Sequence, residues 1–210
     1  MSLCIINVNK LKKILFLRAI NNLTNQTSFL FYIMKYTEFE TSAKRHIESC
    51  YHILDNLTNS SSSFKKQKED RLILNIYYLS GYVIECSLKY AFFKAIRFDK
   101  NKEIEDLHYN DGSDIYKFPD EKGSKSLKIH RLDGLKEYLE SVDKSLPHDI
   151  PFITQTIANN SHKTLTNKWN SEIRYSVDYA KKLFPIDSHL IREYLDNVVK
   201  PIFEKLTNKR

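Results

Sequence analysis

The chain has 210 residues, a length that favours one domain over two. Apolar residues make up 41% of it and charged residues 28%, which is typical of a globular protein rather than a disordered one. Glycine occurs 4 times and proline 5 times, both well below their ordinary ~7% and ~5%. All-β sandwiches and barrels need many turn residues, and βαβ nucleotide folds need a glycine-rich loop. We therefore expect a helical protein.

The charge balance favours an anionic partner. There are 33 Lys and Arg against 26 Asp and Glu, so the formal net charge is +7. A net positive charge of this size favours binding to nucleic acid, which is a polyanion. A codon bias that enriches Lys, Asn, Ile and Tyr explains the same surplus, because the basic residues are spread along the whole chain. Both explanations stay open at this point.

Three cysteines without paired spacing indicate a reducing compartment, so we expect a cytoplasmic protein. Cys50 and Cys86 fall on apolar helical stripes and are predicted to be buried free thiols. Residues 1–33 resemble neither a signal peptide nor a membrane-spanning helix, so no membrane is expected. We treat 1–33 as an N-terminal extension, either foreign to the native protein or a short extra helix, and 34–210 as the helical domain.

Apolar residues recur at helical spacing from the first helix onward. That helix carries Phe39, Ala43, His46, Cys50, Ile53 and Leu57 on one face. The second helix carries two apolar stripes, Leu72, Ile76, Leu79, Val83, Cys86, Tyr90, Phe93 and Ile73, Tyr77, Ile84, Leu88, Phe92. A helix that is apolar on two sides belongs at the centre of a bundle. Gly81 lies within it at a cost of ~1 kcal/mol against Ala, which the close approach of another helix would offset.

Three further helices follow a polar, turn-rich connection at 97–128. A short helix carries Leu132, Leu135, Leu139 and Val142. A fourth is predicted to begin at Asp149, to turn Ile150, Ile153 and Ile157 inward, and to end at 159–161. The last is predicted to begin at Asp187 or Ser188 and to carry Ile191, Leu195, Val198, Ile202 and Leu206. Pro201 should kink or interrupt it because proline lacks an amide donor.

Glu85 is the residue that conflicts with this apolar background. It lies between Ile84 and Cys86 on the second helix. A carboxylate buried there needs a partner, whereas one on a solvated strip does not. Both placements are compatible with the sequence.

Three segments carry a resemblance to a known family. Residues 78–91 read YLSGYVIECSLKYA, residues 130–135 read HRLDGL, and residues 169–176 read WNSEIRYS. In this order and spacing they resemble HEPN-domain proteins, whose second helix often reads aromatic-Leu-Ala-Gly-Tyr-x-x-Glu-Cys-x-Leu-Lys. The resemblance covers roughly 34–206.

The resemblance implies an all-α, up-and-down bundle of four to five main helices that forms a homodimer. Many HEPN proteins are metal-independent ribonucleases of toxin–antitoxin or phage-defence systems, so it also implies RNA or a nucleotide as ligand and an antitoxin as partner protein. Arg174, Tyr175 and His130 are the RNA- or phosphate-binding candidates that it indicates. The chemistry needs no metal, because RNA supplies its own 2′-hydroxyl nucleophile, a histidine moves the proton and a guanidinium holds the phosphate charge.

The chain departs from the family at the nuclease motif, which is Arg, four to six residues, then His. No histidine follows Arg174 at that spacing, and Tyr179 stands where one is expected. A tyrosine with a pKa of ~10 is a poor general base at neutral pH. Arg45 and His52 match the spacing, but on the first helix rather than on a late one. Arg174 is expected either to contact phosphate or to pair with Glu85.

Three functions remain open. The first is an RNA- or nucleotide-binding defence component without the standard nuclease pair. The second is an active endoribonuclease that uses Arg174 with Tyr179, Glu85 or His130, or uses Arg45 with His52. The third is a dimeric interaction module without a ligand, in which Trp169 is a packing anchor. No grouped Cys and His, no His-Glu-x-x-His and no glycine-rich phosphate loop is present, so neither a metal site nor a cofactor is expected.

Overall fold

The computed structural model describes residues 34–59, 66–104, 130–175 and 186–208, and this part of the chain contains helices and no β-strand. Helix α1 spans Thr37–Asn59, α2 spans Lys66–Ala95, α3 spans Leu132–Val142, and α4 spans Asn160–Lys168 with a 3-10 helix at Ser171–Tyr175 after it. Helix α5 spans Ser188–Tyr194 and continues through a π turn, Leu195–Val199, into α6, Lys200–Thr207. The all-α prediction is confirmed for the described residues. Residues 1–33 and most of the 97–128 connection lie outside them.

Helix α2 is the centre of the bundle. It packs against α1, α3, the 3-10 helix, and both α5 and α6. All eleven residues from Val83 to Phe93 are buried, so the prediction of a helix covered on both sides is confirmed. Two charged residues, Glu85 and Lys89, are part of this buried stretch. Glu85 and Lys89 form the buried part of the candidate functional site.

Helix α1 covers one side of α2, but its buried face differs from the predicted one. The buried residues are Ala43, Ile47, Cys50 and Leu54. The predicted positions Phe39, His46, Ile53 and Leu57 lie at the edge of that face and are half-buried. The prediction was therefore right about the helix and one residue out at two positions, where Ile47 and Leu54 are buried instead of His46 and Ile53. As a result the His46 ring reaches the border between the core and the surface.

The predicted fourth helix at Asp149 is absent, although its three isoleucines are buried. Ile150 precedes Pro151, and the residue before a proline is disfavoured in the helical conformation. Phe152 then adopts a positive φ of 68°, which ends any helical run. The hydroxyl of Thr154 donates to the Pro147 carbonyl oxygen at 2.8 Å and closes the segment into turns.

Asn159 begins a helix instead of ending one. Its side-chain oxygen accepts hydrogen bonds from the amides of Ser161 at 2.8 Å and His162 at 3.1 Å. Both amides belong to the first turn of α4 and would otherwise lack a partner. An Asn-rich stretch thus works here as an N-cap, where the sequence interpretation placed a helix end.

The last helix begins where the sequence predicts. The carboxylate of Asp187 accepts from the Leu190 amide at 2.7 Å and caps α5. The predicted inward residues, Ile191, Leu195, Val198, Ile202 and Leu206, are all fully buried. The helix continues through Pro201. The π turn at Leu195–Val199 lies before the proline and accommodates its missing amide donor. No described helix has the length and apolar composition needed to cross a bilayer.

His162 on α4 predicts a pH dependence of stability. The residue is buried beside Tyr194, and within the described residues its Nε2 has no hydrogen-bond partner. Burial lowers the pKa of His162 below its ordinary value of 6.5, with Glu193 opposing the shift. The folded state therefore binds fewer protons than the unfolded chain, so stability is complete above pH ~6.5 and falls as the solution is acidified.

We expect His162→Gln to flatten the acid side of the profile of unfolding free energy against pH, measured by urea denaturation. His148→Gln, which replaces an exposed histidine between α3 and α4, is the matched control and should keep the acid slope. The same acid slope in His162→Gln as in the wild type would contradict the assignment. Part of the slope should persist, because burial also lowers the pKa of His46.

Candidate functional site

The site is built on a buried ion pair within α2. The Lys89 Nζ lies 2.7 Å from Glu85 Oε1, and the two side chains are 8% and 4% exposed. The residues are four apart in sequence, so one face of the helix presents both. The solvated-strip interpretation of Glu85 was wrong, and the prediction that its carboxylate needs a partner is confirmed. The sequence interpretation did not name Lys89 as a site residue, although its spacing from Glu85 was the available signal.

His130 completes the group, which we call the Glu85 cluster: Glu85, Lys89 and His130. The His130 Nδ1 lies 3.2 Å from Oε1 and 3.1 Å from Oε2 of Glu85. A carboxylate accepts hydrogen bonds, so Nδ1 is the donor in this contact and Nε2 is the ring nitrogen left for another partner. The imidazole is half-exposed, with 50% of its side chain accessible. A buried carboxylate therefore orients a histidine whose basic nitrogen is available to a ligand.

Aromatic rings surround the cluster and fix its position. The Tyr82 ring lies 6.2 Å from the His130 ring, 6.0 Å from that of His46 and 5.3 Å from that of Trp169. The Trp169 Nε1 donates to the Tyr78 carbonyl oxygen at 3.1 Å. Trp169 is buried, so its predicted role as a packing anchor is confirmed. These contacts hold the segment after α4 against α2.

Gly81 makes this packing possible. A methyl group at Gly81 would overlap the indole ring of Trp169. The predicted close approach at this glycine therefore exists, but a side chain makes it rather than a second helix. Since glycine costs ~1 kcal/mol in a helix relative to alanine, the indole contact is what offsets that cost.

His46 on α1 is a further neighbour that the sequence interpretation did not assign to the site. Desolvation lowers its pKa, and the positive charge of Arg45 lowers it further, while Glu85 acts in the opposite direction. The His46 ring lies 6.0 Å from the Tyr82 ring, so α1 borders the cluster on this side. A neutral imidazole next to a buried ion pair adds a second hydrogen-bonding ring without adding charge.

Arg45 and His52, the pair on α1 that matches the nuclease spacing, are exposed. The His52 Nε2 is 3.1 Å from the Asn56 side-chain nitrogen. Burial, together with the charge of Glu85, raises the pKa of the Cys86 thiol to about 12, while the charges of Lys89 and Arg45 act in the opposite direction. Such a thiol stays protonated and buried, as predicted.

The late arginine is described in its backbone alone. Arg174 and Tyr175 form the end of the 3-10 helix Ser171–Tyr175, which packs on α2. Tyr179 lies outside the described residues. The structure therefore brings Glu85 and His130 together. The 3-10 helix that carries Arg174 packs against α2, the helix that carries Glu85.

A groove of about 470 Å³ opens beside the cluster, and we call it the His130 groove. Its walls include His130, Asp133, Phe152, Asn167, Trp169 and Glu172. A volume of this size is within the ~300–1,000 Å³ that small-molecule sites occupy. The half-exposed imidazole thus stands at the border between the buried cluster and a cavity large enough for a ligand.

Comparison with family models, with curated proteins and with solved structures finds no match to this chain.

Proposed function

We propose that this chain is a HEPN-like helical protein that binds RNA or a nucleotide at the Glu85 cluster, as a homodimeric component of a toxin–antitoxin or phage-defence system in the cytoplasm. The observation that carries the proposal is the hydrogen bonding of His130 to the buried carboxylate of Glu85. A surface histidine held by a buried, lysine-paired carboxylate is an arrangement that positions a functional group rather than one that packing alone requires.

The contacts among the three resembling segments support the family assignment. His130, in the second segment, bonds Glu85 in the first. Trp169, in the third, covers Gly81 and bonds the Tyr78 carbonyl oxygen in the first. Segments that are far apart in the sequence therefore meet around one site.

The charges of the site define its ligand chemistry. Glu85 and Lys89 neutralise each other, so His130 and Arg174 are the groups that we assign to an anionic backbone. Since Glu85 already has two nitrogen partners, we assign Arg174 to phosphate rather than to Glu85. The formal charge of +7 favours association with a polyanion.

Metal-independent RNA cleavage is the second candidate, and the orientation of His130 favours it. With Nδ1 held by Glu85, Nε2 is the atom that can accept the proton of a 2′-hydroxyl. The 2′-oxygen then attacks the adjacent phosphorus, the bond to the 5′-oxygen breaks and a 2′,3′-cyclic phosphate forms. Water protonates the leaving 5′-oxygen, and the hydroxide that remains takes the proton from His130. This chemistry does not need a histidine at the usual distance from Arg174.

Labelled RNA of several sequences, incubated with the full chain in EDTA, separates the two candidates. We expect binding that weakens steeply between about 50 and 200 mM salt, and His130→Ala to bind about tenfold more weakly. Arg174→Ala should lower the salt slope by about one. His189→Ala, at an exposed position on α5, is the matched control.

The outcomes are distinct. Cleavage by the wild type that falls by about 10²–10⁴ in His130→Ala would establish the ribonuclease. Salt-dependent binding without cleavage would establish the binding protein alone. If a folded and dimeric protein does not bind RNA at physiological salt, RNA binding and RNA cleavage are both contradicted. The dimeric interaction module is then the remaining function.

A further inference from the structure

Among the residues that the structure describes, the His130 groove has one carboxylate that takes part in no ion pair. The other, Asp133, is paired with Arg131, whose Nε and terminal nitrogen donate to its two oxygens at 3.2 and 2.6 Å. Glu172, in contrast, is exposed and takes part in no ion pair with the residues that the structure describes. Its backbone amide donates to the Asn170 side-chain oxygen at 2.9 Å, which fixes the residue at the start of the 3-10 helix. The groove therefore presents an acceptor-only group to a ligand.

Phe152, on another wall of the groove, is held in a strained backbone conformation. Its φ is 68°, a region that bulky side chains rarely adopt. Its amide donates to the Gln155 carbonyl oxygen at 3.1 Å, and the ammonium of Lys136 lies 5.7 Å from the centre of its ring. Strain of this kind costs about 1–3 kcal/mol and is concentrated at ligand sites. The turn thus keeps an aromatic ring at the wall of a polar groove.

From these two features, and resting on the proposed function, we propose that the His130 groove is a guanine-binding site. The base enters the groove and stacks on Phe152, while Glu172 accepts hydrogen bonds from its Watson–Crick edge. The phosphate stays outside, at the His130 edge, because the carboxylate of Glu172, which forms no ion pair with the described residues, repels an anion.

The choice of guanine follows from the donors that each base offers. Guanine alone has two adjacent donors, N1–H and the N2 amino group, and these match the two oxygens of one carboxylate. Adenine and cytosine each place a ring-nitrogen acceptor beside their amino group, and uracil places a carbonyl on either side of its single N–H. Each of these acceptors would face the Glu172 carboxylate, so only guanine is bound without repulsion.

The groove also accounts for recognition of single strands. The Watson–Crick edge of a base is available only when the base is unpaired, and unpaired bases are what aromatic side chains stack against. The inference therefore deepens the proposed function: the ligand would be single-stranded RNA or a nucleotide with guanine next to the phosphate that His130 contacts.

The chain has a single tryptophan, Trp169, and it lines this groove, so its fluorescence reports on occupancy. We would titrate the full chain with guanosine, inosine, adenosine, cytidine and uridine, which carry no phosphate. Guanosine should bind at least ~10-fold more tightly than adenosine, cytidine and uridine, with inosine intermediate because it lacks the N2 amino group. Glu172→Gln should abolish the preference, Phe152→Ala should weaken every nucleoside, and Glu204→Gln, an exposed carboxylate on α6, should change nothing.

Equal affinity for all nucleosides, or a guanosine preference that persists in Glu172→Gln, would overturn the inference. Tighter binding of N-acetylarginine amide than of guanosine would also overturn it, in favour of a basic peptide. An oligouridylate separates this result from the proposed function. If it binds in a salt-dependent manner while guanosine is not preferred, RNA binding stands and guanine recognition fails. If guanosine is preferred but no RNA binds, the groove is a nucleoside site and RNA binding, the first form of the proposed function, fails.

Discussion

Gly81→Ala is expected to destabilise the protein by about 2–3 kcal/mol, although alanine is the better helix former by ~1 kcal/mol. The added methyl group would overlap the Trp169 indole, which is buried and bonded to the Tyr78 carbonyl oxygen. Either the ring or the backbone of α2 must move, and both lie in a close-packed region. Urea denaturation followed by circular dichroism measures the change.

A double-mutant cycle with Trp169→Ala is the control for this prediction. Removing the indole alone should cost about 3–5 kcal/mol. In that background Gly81→Ala has no ring to displace, so it should stabilise the protein by its helix propensity, up to ~1 kcal/mol. A reversal of sign between the two backgrounds identifies the contact. If Gly81→Ala has the same effect in both, the indole does not determine the role of this glycine.

Lys89→Met is expected to destabilise the protein by about 3–5 kcal/mol, because it leaves the Glu85 carboxylate buried without its ammonium partner. Methionine keeps most of the volume, so packing contributes little to the loss. His130 is half-exposed and does not replace a buried cation at 2.7 Å. Urea denaturation at neutral pH is again the measurement.

The matched variant is Glu85→Met combined with Lys89→Met. Replacing both charges by apolar groups removes the unpaired carboxylate and its desolvation cost, so most of the lost stability should return. The double variant should still lose the function of the site, because nothing then orients His130. If the double variant is less stable than Lys89→Met, the unpaired carboxylate is not the cause of the loss, and the account of its energetics is wrong.

Much of the fold was predictable because it depends on local periodicity. The doubly apolar pattern of α2 predicted its central position, and the Asp187 cap predicted the start of the last helix. The segment at 149–157 failed for a local reason: its isoleucines are spaced as in a helix, but Pro151 and the positive φ of Phe152 prevent one. Burial was predicted correctly there, whereas the conformation was not.

The site was predictable only in part. The need of Glu85 for a partner follows from its apolar neighbours, and that prediction is confirmed. The identity of the second partner, His130, is a contact across 45 positions of the sequence, and no periodic pattern encodes such a contact. The position of His46 next to the site depends on how α1 is rotated about its axis. The apolar pattern of α1 did not fix that rotation to within one residue. Glu172 and Phe152 became relevant only when the groove between them was visible.

The central claim is that the buried Glu85 carboxylate holds His130 by its Nδ1–H and leaves Nε2 open to a ligand. Two-bond nitrogen–proton NMR of the imidazoles, recorded at about pH 8, where a histidine of ordinary pKa ~6.5 is neutral, measures this directly. We predict the Nδ1–H tautomer for His130 in the wild type and its loss in the double variant Glu85→Met with Lys89→Met, which removes both acceptor oxygens, with the exposed His189 unchanged. A His130 ring that is protonated on Nε2 in the wild type, or a tautomer that the double variant does not alter, would contradict the account.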